Sequence, residues 1–152
     1  MENKNMFPLL TRPGKMGPLE LSSRIIMAPM GSLNGGVDGY VTERGMQFYR
    51  DCARGGMSMI IVECTAIDDD LSIGEDNLMR MTDNSHITGH ARLVSIMHDY
   101  GARAVLQLCH IGHQLSLADK KESLGPSTMV ELQGGVMPFP RRGMSRTEIK
   151  EW

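Results

Sequence analysis

The sequence has 152 residues, 41% of them hydrophobic and 22% charged, enough for one globular domain with a buried core. A formal charge of −2 without any basic block argues against a dedicated nucleic-acid surface. The opening Met1-Glu2-Asn3-Lys4-Asn5 leads into no long apolar stretch, and Ser58, Glu63 and Thr65 break the most apolar segment, Met57 to Ile67. Neither a secretory leader nor a membrane span is expected, and a cytoplasmic location follows. Cys52, Cys64 and Cys109 cannot all pair and share no CxxC spacing, so reduced thiols are expected and no metal site.

In chain order, turn signals come first: Pro8, Pro13-Gly14 and Gly17-Pro18, with short apolar pieces between them. They predict a hairpin or cap over about 7–23. The continuous apolar run at about 24–30 reads as a strand buried on both faces, ended by Pro29, which has no N–H to give the ladder. An irregular glycine-rich loop, Gly31 to Gly39, follows. Thr42-Glu43 can cap a helix through Arg54 with Met46, Tyr49 and Ala53 near one face, stopped by Gly55-Gly56.

A second buried strand is expected at about 57–64, then a polar loop from Asp68 to about Asp83. The next predicted helix, roughly Ser85 to Tyr100, places Ile87, Val94 and Met97 on one face, with Gly101 as its stop. A third strand covers about 104–110. The remainder, with Gly134-Gly135, reads as a long loop until Ser145-Arg-Thr-Glu148 begins another helix. Strands alternating with helices predict an α/β chain with a parallel sheet and right-handed crossovers. Doubly wound sheets and barrels both begin this way, and both bind ligands at the C-terminal ends of the strands.

Several residues compete for a functional role. Gly31-x-x-x-Gly35-Gly36 after a strand, with Glu63 closing the next, imitates a dinucleotide-binding unit. That fingerprint needs its glycines to open directly into a helix, and here Val37 to Val41 intervenes. A plain βα loop explains the glycines equally well. His86 and His90, spaced i and i+4 in a first helical turn, read as a solvent-facing pair rather than metal ligands, since Ile87 stands where a metalloprotease needs glutamate. His110 and His113 follow a strand end, as loop histidines or as ligand contacts. Cys64 has no cation adjacent in sequence to lower its pKa and reads as a small buried residue. Gln107 lies on an apolar strand, where its amide must find polar partners, a ligand's edge among them.

Together these segments resemble the Old Yellow Enzyme family of NADH:flavin oxidoreductases, which includes 2,4-dienoyl-CoA reductases. The matching pieces are Phe7 to Leu10, Met16 to Met30, Tyr49 to Glu63, Tyr100 to Gly112, Gly125-Pro-Ser127 and Met144 to Ile149. The resemblance implies the N-terminal portion of a TIM (β/α)8 barrel, about three βα units plus a cap, across residues 1–152. It implies FMN, reduced by NADH or NADPH, passing hydride to an activated C=C bond of a small alkene or enoyl substrate. It places Ala28, Pro29, Met30 and Gly31 along the flavin, Cys64 near the ring's reactive edge and Gln107 at its pyrimidine side. Two positions depart from the family: Gly31 stands where many relatives carry threonine or cysteine, and His113 where they often carry arginine.

The family's proton donor and substrate anchors come from later strands, which are expected beyond Trp152, so no catalytic residue is expected within this chain. A TIM barrel needs about 250 residues, and its phosphate site sits near strands 7 and 8. The chain is therefore expected to be inactive alone, and to self-associate or require a missing C-terminal portion. An iron–sulfur cluster in the parent is possible within the family but has no ligands in this segment. The rival readings are a non-catalytic half-barrel that works with another chain and a Rossmann-type nucleotide-binding module.

Overall fold

A computed structural model describes residues 7–69, 77–110, 123–128 and 141–151. His113, Gly134-Gly135, Trp152 and much of the loop expected from Asp68 to Asp83 lie outside the described residues. The order is α1 (Pro8–Thr11), β1 (Gly14–Met16), β2 (Leu19–Leu21), β3 (Ile26–Met27), α2 (Glu43–Arg54), β4 (Met59–Ala66), a 3-10 turn (Asn84–His86), α3 (Ile87–Asp99), β5 (Arg103–Cys109), β6 (Ser123–Gly125), β7 (Arg141–Gly143) and α4 (Arg146–Glu151).

β1 and β2 form an antiparallel hairpin with Gly17 in its turn. β3, β4 and β5 form a parallel sheet in that order. Only two residues of the run expected at 24–30 join it, Ile26 opposite Met59 and Met27 opposite Ile60. Ala28-Pro29-Met30 leaves the ladder, because the Pro29 nitrogen has no hydrogen to donate.

Met46, Tyr49 and Ala53 of α2, Leu93 and Met97 of α3, and Ile60 and Val62 of β4 make one core, flanked by Ala104 and Leu106. Both crossover helices therefore cover the same face of the sheet, and strand order never reverses. A doubly wound fold would reverse order and place helices on both faces. Successive strands laid down in one direction under helices on one side are what a (β/α)8 barrel requires. α2 begins at Glu43, well beyond Gly36, with the Gly45 N–H donating to the Thr42 hydroxyl at 3.0 Å. No helix N-terminus opens from the glycine turn, which removes the Rossmann reading.

Three expectations are corrected. His86 and His90 are buried, at 5% and 6% exposure, whereas Ile87 is half exposed at 51%. The inward stripe is His86, His90, Leu93 and Met97; of the expected face Met97 is buried and Val94 packs against the core, and Ile87 alone turns outward. Each ring has a packing reason to turn inward. His86 stacks on Tyr40 with ring centroids 4.6 Å apart, and His90 Nε2 lies 2.9 Å from the Arg80 carbonyl oxygen. The second correction is that the long loop before Ser145 contains β6 and β7, paired in parallel. Three-residue strands leave no readable periodicity.

The third correction is that the run at 24–30, read as a strand buried on both faces, is only half-buried at Ile26 and Met27 and 58% exposed at Met30. On β5, Val105 is 41% and Leu108 61% open to solvent. Burial of a β-strand comes from its neighbours, and among the described residues β3 and β5 each pair with β4 alone. Among the described residues no helix is long and apolar enough to cross a membrane.

Candidate functional site

The candidate residues converge at one end of the sheet. Ala28, Pro29, Met30 and Gly31 follow the end of β3, while Cys64 and Gln107 lie in the C-terminal halves of β4 and β5 and pair in register. Gln107 is exposed, Cys64 half-buried, and Met30 58% exposed. A side chain at Gly31 would meet nothing within 4 Å. A shallow groove beside the hairpin, lined by Gly14, Lys15, Glu20, Leu21 and Arg24, involves none of these residues.

Strict alternation along β4 would put Cys64 beneath the helices with Ile60 and Val62. Instead the register shifts between Val62 and Cys64, leaving Glu63 without an opposite residue on β5. This bulge carries Cys64 to the open face beside Gln107, a common use of bulges next to sites. Sequence reasoning placed both residues at strand ends but had no signal for the face.

Glu63 is the residue that sequence reasoning undervalued. It is fully buried, and its carboxylate accepts from the Ser32 N–H, from the Ser32 hydroxyl at 2.9 Å and from the Leu33 N–H at 3.2 Å. A buried charge persists only when such donors replace its water. These bonds tie the loop after β3 to the centre of the sheet and hold Leu33 at a positive φ of 51°. The Glu63 N–H donates to Tyr49 Oη at 3.0 Å, and burial is the main cause pushing the Tyr49 phenol up to about 12. Glu63 thus anchors a loop and does not reach for a ribose. An acid immediately before the strand-end cysteine was visible in sequence, but the loop that binds it was not.

Burial first, and then a hydrogen bond shared with Cys109, pushes the Cys64 thiol up to about 12. A thiol held protonated carries no charge, so this position offers a compact, neutral surface. His110 follows β5 directly and is half-buried. Among the described residues, no three His, Cys, Asp or Glu side chains gather to hold a metal ion.

Among the described residues, Met30, Cys64 and Gln107 bring a thioether, a thiol and a side-chain amide to one strand end, with open space over Gly31. Those features suit a planar heteroaromatic ring, whose flat faces want apolar contact and whose polar edge wants a fixed donor and acceptor. The residues present therefore fit an isoalloxazine.

The family model described as NADH:flavin oxidoreductase / NADH oxidase matches residues 9–152. An NADH oxidase of Thermoanaerobacter brockii is 30% identical over 147 residues, covering 95% of this chain and 22% of that protein. A cinnamate reductase of Clostridium sporogenes is 31% identical over 111 residues, covering 69% of this chain and 16% of that protein. Among solved structures, the old yellow enzyme homologue of Zymomonas mobilis superposes with a TM-score of 0.76 at 22% identity, over 95% of this chain and 42% of that one. The chain thus spans between about a sixth and two-fifths of the proteins it matches. With its one-sided crossovers and its strand-end site, the chain belongs to the NADH:flavin oxidoreductase / NADH oxidase family and forms the N-terminal portion of its (β/α)8 barrel.

Proposed function

We propose that this chain supplies the ring-binding part of an FMN site in an NAD(P)H-dependent reductase of activated C=C bonds. The observation that carries the reading is the meeting of residues 28–31, Cys64 and Gln107 at one end of three adjacent parallel strands. Ala28, Pro29 and Met30 would lie along the ring, and the Gln107 amide would meet its pyrimidine edge. Cys64 would give a small neutral contact at its reactive side. FMN, when bound, supplies hydride transfer from NAD(P)H to substrate. Glu63 holds the loop that carries Gly31, so that the ring meets a preset surface. By the family resemblance, the proton donor and the substrate anchors of this reading come from later barrel strands. The alkene class rests on the family resemblance and on a relative named for cinnamate, whose C=C bond is activated by its carboxyl group.

The test is difference spectroscopy of FMN added to the chain. A perturbation of the ring bands that disappears in Gln107→Leu is expected, and an unperturbed spectrum would remove the site. Binding should be weak, since the phosphate site of such barrels lies near strands 7 and 8. Substrate class is tested in a barrel completed with a relative's remaining strands, by following NAD(P)H oxidation on addition of cinnamate.

A second reading concerns association. Among the described residues no strand pairs with the outer edge of β5, which is flanked by exposed Val105 and Leu108. Size-exclusion chromatography should show self-association of the chain alone, and a monodisperse monomer would count against it.

A further inference from the structure

Cys64 and Cys109 both stand on the face of the sheet away from α2 and α3, in the C-terminal halves of β4 and β5. Cys64 pairs in register with Gln107, and Cys109 with Ala66, which makes the cysteines diagonal neighbours, one strand across and two residues along. Both are half-buried free thiols. The third cysteine, Cys52, is remote from them on α2, packed against the helix-side core.

The spacing separates two chemistries. With strands about 4.8 Å apart and a rise of about 3.3 Å per residue, diagonal Cα atoms stand about 8 Å apart. A disulfide closes without backbone movement only below about 7 Å. Two bonds of about 2.3 Å from a tetrahedral centre, by contrast, hold their sulfurs about 3.8 Å apart, a gap that two cysteine side chains leaning toward each other can meet without backbone movement. Four-coordinate zinc would want further ligands, and no third His, Cys, Asp or Glu joins the pair among the described residues. What fits is a soft centre satisfied by two sulfurs.

We propose that Cys64 and Cys109 form a dithiol site for low-coordinate thiophilic centres of the trivalent arsenic class. Capture of an organoarsenic(III) oxide forms two As–S bonds and breaks the As=O bond and two S–H bonds. The oxide oxygen leaves as water with both thiol protons, and no oxidant or reductant is consumed. The inference rests on sheet register alone and stands whether or not the flavin reading holds.

The experiment adds one equivalent of phenylarsine oxide to the unaltered chain, then alkylates and maps the cysteines. The intact mass should rise by one phenylarsenic group less two hydrogens. Cys64 and Cys109 should be protected from alkylation while Cys52 is modified. An excess of a small 1,2-dithiol should release the adduct where a monothiol at equal concentration does not. In Cys64→Ser or Cys109→Ser, apparent affinity should fall about 100-fold or more, the advantage of closing a second bond intramolecularly. Cys52→Ser should bind as the unaltered chain does. Protection of Cys52, alkylation of both strand cysteines despite the arsenical, or full retention in either single strand variant overturns the site. The protection map uses no variant, so a substitution that fails to fold leaves the proposal testable.

Discussion

β4 and β5 are neighbouring parallel strands, one reading Met-Ile-Ile-Val-Glu-Cys-Thr-Ala and the other Arg-Ala-Val-Leu-Gln-Leu-Cys. Both are apolar runs interrupted by one long polar side chain. Yet β4 is buried over six of its eight positions, whereas Val105, Gln107 and Leu108 of β5 are exposed. β4 has a strand on each side and α2 and α3 over one face, while among the described residues β5 has a strand on one side only. The polar residues diverge in the same way. Glu63 is enclosed by donors from the β3 loop and becomes a structural anchor, and Gln107 stays exposed. Apolar composition makes a strand possible, and its neighbours then decide whether its side chains become core or binding surface.

The largest expected contrast between the two environments is in packing. Leu93, fully buried under β4, should cost about 2–5 kcal/mol when changed to Ala. Val105→Ala should cost less than about 1 kcal/mol, because solvent already reaches that side chain. Urea midpoints measure both, and equal losses would erase the distinction.

Glu63→Leu comes next, at about 2–3 kcal/mol, because the Ser32 and Leu33 N–H groups lose their acceptor. Faster amide exchange at those two residues, with the β4–β5 ladder still protected, would locate the damage in the loop. Unchanged exchange there would mean that the carboxylate does not hold it.

Thr42→Ala should cost about 1 kcal/mol by uncapping α2, the first helix laid over β4. The same change at an exposed helical position should be close to silent, and circular dichroism melting separates the two.

The smallest effect is a pH dependence. Burial lowers the His90 pKa below its ordinary 6.5, so the unfolded chain takes up a proton more readily than the folded one. Stability is then fully present above pH about 6.5 and falls as pH drops below it toward the folded pKa. His90→Gln should flatten the denaturation profile between pH 7 and 5, and an unaltered slope would assign that slope to another group.

Much of this architecture was legible in the residues. Thr42 and Gly55-Gly56 bracket α2, and its Met46–Tyr49–Ala53 stripe is the stripe that packs. Gly101, at φ 78°, ends α3 because the left-handed conformation is open to glycine at little cost. Such signals act within one or two turns of chain, where periodicity and capping chemistry are determined. On α3, Val94 and Met97 pack inward as read but Ile87 does not, because two histidines take the buried stripe at that end of the helix. An imidazole's polarity says outside until Tyr40 and the Arg80 carbonyl, both remote in sequence, give it a place inside.

The sequence by itself determined the alternation of strand and helix, the strand-end placement of Met30, Cys64 and Gln107, and the family motifs that join them. Tertiary structure alone decided that both helices share one face, that a bulge at Glu63 turns Cys64 toward Gln107, and that Cys109 stands beside Cys64. Register and facing are properties of pairs of strands. They depend on which backbone groups meet across about 4.8 Å of space, and one strand's side-chain order does not record that meeting.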